Sequence, residues 1–91
     1  MNGRVIIMQT SRPGQDSKMF RAYLPANPGG IRKSVGVSAS TTGNATYGVL
    51  RCAAKAFKKL NAPAGDLDEI ETRVKIENHP QPNTWLAELT K

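Results

Sequence analysis

The chain has 91 residues, 38% of them apolar, and thirteen Lys and Arg against seven Asp and Glu give it a net charge of +6. That length supports one modest hydrophobic core and excludes two, so residues 1–91 are expected to form a single domain. One cysteine, Cys52, excludes an intramolecular disulfide and with it a stapled secreted scaffold.

Taken in chain order, Arg4 to Thr10 has a β-branched centre and reads as a first strand. The Pro-Gly signal within Ser11-Arg12-Pro13-Gly14-Gln15-Asp16 ends it in a turn. The apolar run Val5-Ile6-Ile7-Met8 is too short for a signal-peptide core, and nowhere do 18 apolar residues run together. A cytoplasmic protein with no membrane partner is expected. Lys18 to Pro25 then alternates as a half-buried strand does, with Phe20, Ala22 and Leu24 on one face and Met19, Arg21 and Tyr23 on the other. Asn27-Pro28-Gly29-Gly30 supplies a second turn. From Ile31 to Ser38, Ile31, Lys33, Val35 and Val37 share a face, while Arg32, Ser34, Gly36 and Ser38 take the other. These segments make a three-stranded antiparallel meander.

At Ser40-Thr41-Thr42-Gly43-Asn44 the apolar period lengthens, and side chains suited to capping a helix stand where it changes. Ala45, Val49, Cys52, Ala53, Ala56, Phe57 and Leu60 form one apolar stripe of a helix, and Arg51, Lys55, Lys58 and Lys59 form a basic one. Lys58 and Lys59 suit the negative end of the helix dipole whatever the ligand. Beyond the connector Asn61 to Asp66, the residues Ile70, Thr72, Val74 and Ile76 alternate with Glu71, Arg73, Lys75 and Glu77 as a fourth strand. His79-Pro80-Gln81-Pro82 breaks it, and Asn83 or Thr84 caps a short final helix carrying Trp85, Leu86 and Leu89 as a lid. The fold class is therefore α+β, in the order β-β-β-α-β-α: a three-stranded antiparallel meander packed on one main helix, then a fourth strand and a short C-terminal helix.

The inventory for catalysis is thin. His79 is the one histidine and falls in a loop, while Cys52 lies on the apolar stripe, where a thiol behaves as a small hydrophobe. One Cys and one His cannot make a zinc site, and Asp66, Asp68, Glu69 and Glu71 lack calcium-loop spacing. Neither an enzyme nor a cofactor or metal site is expected.

Charge is distributed unevenly. Residues 1–63 hold ten basic residues and one acid, Asp16, whereas residues 64–91 hold three basic residues and six acids. A segregated positive field attracts polyanions, and nucleic acid is the commonest polyanion in a cytosol. On the meander face opposite the helix stand Arg21, Tyr23, Arg32, Ser34 and Ser38, with Arg4 at the start of the first strand. Guanidinium, aromatic and hydroxyl groups together suit phosphates and bases.

The stretch Phe20-Arg21-Ala22-Tyr23, then Ile31-Arg32-Lys33-Ser34-Val35-Gly36, then a Ser/Thr-rich turn into a helix ending Ala53-Ala54-Lys55-Ala56-Phe57, resembles a known pattern. It is similar over residues 18–60 to the arm-type DNA-binding domain of tyrosine recombinases and the related plant APETALA-type domain. The resemblance implies a three-stranded sheet that enters the major groove of DNA, and it places Arg21, Tyr23, Arg32 and Ser34 on the ligand. The fourth strand and the tryptophan-bearing final segment are not part of that pattern. Three strands, a helix and a fourth strand also resemble the start of the ribonuclease H fold. Its carboxylates are absent from Arg4 to Thr10, and Tyr47 stands early in the helix, so that kinship would be with an inactive relative.

The expected function is non-enzymatic nucleic-acid binding, with DNA first, through Arg4, Arg21, Tyr23, Arg32, Lys33 and Ser34, phosphate contacts coming from Arg4, Arg21, Arg32 and Lys33. The alternative is a small protein-interaction or inhibitor protein, phage-derived, whose basic surface meets an acidic protein or a protein that itself binds nucleic acid. A third expectation is a homodimer through an edge strand.

Overall fold

Alternating apolar residues build the meander, whose strands are β1 (Arg4–Gln9), β2 (Lys18–Ala26) and β3 (Gly30–Thr41). The helix α1 (Ala45–Asn61) follows, then α2 (Leu67–Glu71), β4 (Val74–Asn78) and β5 (Thr84–Leu89). This computed structural model describes residues 3–10, 14, 17–26 and 30–90, with the backbone alone at 26 and 30–32. The expected turns at 11–13 with 15–16, and at 27–29, lie outside the described residues.

All five strands join one antiparallel sheet in the order β3-β2-β1-β5-β4. The class is α+β, with the meander and main helix as expected, but the final segment is corrected. Thr84 to Leu89 is not a helical lid; it is a strand that pairs with both β1 and β4. Asn83, expected as a cap, instead takes a left-handed φ of 54° in the turn that leads into β5. The fourth strand begins at Val74 rather than Ile70, because Ile70 belongs to α2, where it is fully buried. Asp66 caps α2 by accepting the Glu69 amide at 2.9 Å.

The core lies between the sheet and α1. Val5, Ile7, Phe20, Ala22, Leu24, Val35, Ala39 and Ala87 from the strands meet Val49, Cys52, Ala53, Ala56 and Phe57 from the helix. Burying Phe20 and Phe57 completely stabilises the fold by about 1.5–3 kcal/mol each. Helix and sheet approach closely at Gly48, where an added Cβ would overlap the Phe20 ring. Trp85 closes the same corner, its ring edge-on to Phe20 at 5.8 Å. Asn44 caps α1 by accepting the Thr46 amide at 2.9 Å, and Ala62 ends it with φ 47° and an amide donated to Lys58 O. Ile31, which alternation sets on the same face as Val35 and Val37, has its side chain outside the described residues.

Candidate nucleic-acid interface

Among the described residues only one face of the sheet carries a helix, so the residues out of phase with the core line an open face whose rows follow from the register. One row reads Ser34, Tyr23, Ile6, Leu86, Glu77, and a second reads Ser38, Arg21, Met8, Thr84. A third holds Arg4, Glu88 and Lys75. Ile6 is only 1% exposed although no helix covers it, because Tyr23 and Leu86 flank it on the neighbouring strands. The centre of this face is therefore apolar, with Met8, Tyr23 and Leu86 half-buried and Met19 38% exposed beside them.

The two ends of the face differ in charge. At the β5–β4 end, Arg4 Nε donates to Glu88 Oε2 at 2.9 Å and Lys75 approaches Glu77 at 3.6 Å. Those four residues, with Leu86, line a recess of about 80 Å³ whose charges already compensate one another. At the β2–β3 end, Arg21 is exposed and makes no ion pair among the described residues, and Ser34, Ser38 and Ser40 stand beside it on β3.

The six residues expected to bind are thus partly brought together. Arg21, Tyr23 and Ser34 share one patch of the open face, with Tyr23 opposite Ser34 in the register. Arg4 lies on that face but is engaged with Glu88, so its charge is largely compensated. Lys33 pairs with Leu24 and stands on the helix side of β3, exposed at the sheet edge. The side chain of Arg32 lies outside the described residues.

Lysines of α1 extend the basic surface around that edge. Lys55 Nζ donates to Ser38 O of β3 at 3.0 Å. Lys59 Nζ rests over Gly36, where a Cβ would come within 2.9 Å of it, and Gly36 itself has φ 85° at an irregularity in the ladder. Lys58 is turned inward to the connector, donating to Pro63 O and Gly65 O, as its place in the last helical turn allows. Arg51 is spent on α2, through Asp68 at 2.8 Å and Glu71 at 2.9 Å. The Glu71 contact is an ion pair without hydrogen-bond alignment, which leaves Glu71 Oε2 without a hydrogen bond. The part played by Lys55 and Lys59 at the β3 edge escaped sequence reading, since only the fold brings helix and edge together. The basic stripe was the available signal.

Among the described residues no other place gathers reactive groups. Burial pushes the Cys52 thiol up to about 12, with the Lys55 charge opposing. His79 Nδ1 accepts the Gln81 amide at 3.1 Å. Among the described residues no group of three or more His, Cys, Asp and Glu is placed to hold a metal, and no helix is long and apolar enough to cross a membrane.

The comparisons give the chain no relative. No family model matches it, and neither does any curated protein or solved structure. The reading of the interface therefore rests on the geometry and charge of this chain.

Proposed function

We propose that this protein is a non-enzymatic nucleic-acid-binding domain, with DNA the first ligand to test, and that its contact surface wraps the β3 edge. Arg21 with Ser34, Ser38 and Ser40 forms one side of that surface, and Lys33, Lys55 and Lys59 form the other.

The observation that carries this reading is the separation of charge in space. Every acid among the described residues, from Asp66 to Glu88, caps α2 or sits on α2, β4 or β5. The sheet order keeps β3 and β2 at the far end from β4, so the basic residues there act in one field rather than cancelling against the acids. Exposed ammonium and guanidinium groups without carboxylate partners suit phosphate oxygens, and neighbouring hydroxyls can donate to the same oxygens. Both sheet edges carry features that oppose pairing with a second copy. β3 is irregular at Gly36 and has Lys55 across it, and β4 is five residues long with Lys75 and Glu77 exposed.

The test is fluorescence anisotropy of labelled duplex DNA, single-stranded DNA and duplex RNA at low and near-physiological salt. Contact with roughly three phosphates gives a log–log salt slope of about −2 to −3, and Arg21→Ala or Lys33→Ala weakens binding to any sequence while making that slope shallower by about one. Absence of binding to all three at low salt contradicts the proposal and leaves an acidic protein as the partner of this surface.

A further inference from the structure

We infer that the nucleic acid is taken as a single strand laid across the open sheet face, with a base stacked on Tyr23. This rests on the nucleic-acid reading above and narrows it.

Two observations carry it. The first is width. Because β5 joins β1, the sheet has five strands, and four spacings of about 4.8 Å make it roughly 19 Å across. A B-form major groove is about 12 Å wide and admits a helix or a two-stranded ribbon. A three-stranded meander ending at β1 could enter it face-on; this sheet cannot, since β5 and β4 meet the groove wall.

The second is the chemistry of the face. Reading a duplex calls for long polar side chains that reach base edges and phosphates. Here the middle of the face is an apolar floor of the half-buried Met8, Leu86 and Tyr23 ring, packed over the buried Ile6. Such a floor finds no partner in the charged backbone of a duplex, but it suits the exposed faces of unstacked bases. Tyr23 is two residues from Arg21 on β2, so both side chains leave the same face from backbone positions roughly 7 Å apart along the strand. A stacked base therefore places its own backbone within reach of Arg21 and of Ser34, the cross-strand partner of Tyr23. At the other end, the Arg4–Glu88 and Lys75–Glu77 pairs offer no net charge and bound the track on that side.

The experiment compares a labelled 20-nucleotide oligothymidylate with a 20-base-pair duplex at the same low salt, using the full chain. The wild-type protein is expected to bind the single strand at least ten-fold more tightly. Tyr23→Ala is expected to lose roughly 5- to 100-fold on the single strand and little on the duplex, while Tyr23→Phe, which keeps the ring, retains the preference. The wild-type ratio is read without any variant, so it stands even where Tyr23→Ala does not fold. Equal or tighter duplex binding, weakened by Arg21→Ala but unchanged by Tyr23→Phe and Tyr23→Ala, overturns the single-strand inference and leaves nucleic-acid binding intact. Absence of binding to both overturns the two together.

Discussion

At the scale of single residues, Gly48 and Cys52 record how tightly α1 lies on the sheet. Alanine normally stabilises a helix interior relative to glycine by about 1 kcal/mol. At Gly48 the added methyl meets a Phe20 ring that is fully buried and held edge-on by Trp85, so it cannot move aside. Gly48→Ala is therefore expected to destabilise, by about 1–3 kcal/mol from overpacking less the propensity gain, measured by chemical denaturation; an unchanged or raised midpoint contradicts the close approach. Cys52 is fully buried, and its thiol keeps its proton to about 12 against an ordinary value of 9.0. Between those values the native state binds more protons than the unfolded chain, so this residue's contribution is complete below pH 9 and declines above it. The slope is at most about 1.4 kcal/mol per pH unit. The decline should be missing from Cys52→Ala when the two proteins are compared from pH 8 to 11, which cancels contributions common to both. The native thiol should also resist alkylation until the chain is unfolded.

At the scale of elements, the strand β5 matters most. A lid helix could be cut away and leave the sheet standing, but β5 pairs on both sides and contributes Trp85 and Ala87 to the core. Truncation before Thr84 is expected to abolish the cooperative thermal transition seen by circular dichroism; a truncated chain that still melts cooperatively would restore the lid. The end of α1 gives a second prediction. Ala62 sits at φ 47° and ψ 48°, a conformation costly for a residue with a Cβ. Ala62→Gly should raise stability by about 0.5–1 kcal/mol in thermal denaturation. The elements legible in the sequence were those with one buried face. Phe20, Ala22 and Leu24 alternate on β2, and Val49, Cys52, Ala53, Ala56 and Phe57 recur at helical spacing on α1, because water lies on the opposite side of each. β5 was misread for a physical reason. Trp85, Ala87 and Leu89 face α1 while Leu86 is half-buried on the open face, so the segment has apolar residues at both helical and strand spacing. Ile70 and Val74 stand four apart, a separation that fits either period, which hid the boundary between α2 and β4.

At the scale of the whole molecule, a division of charge along the chain becomes a division across the sheet. The meander occupies β3, β2 and β1 and the later hairpin β5 and β4, so the basic residues of β2 and β3 lie away from the acids, while Arg4 and Arg51 meet them in ion pairs. What sequence could not supply was the pairing of charges. Arg4 and Arg21 look alike in a strand pattern, yet the register sets Arg4 opposite Glu88 and Arg21 opposite Ser38. Alternation already put Lys33 on the helix side, but its company there with the α1 lysines depends on the packing of α1 over β3. The most direct test of the interface is an amide chemical-shift map of the isotope-labelled protein titrated with an oligothymidylate at low salt. The account predicts shifts concentrated at residues 19–24 and 33–40, extending to 6–8 and 86 on the open face, with smaller ones at 55–59, reversed by added salt. Shifts confined to α2 and β4, or no shifts at all, would contradict it.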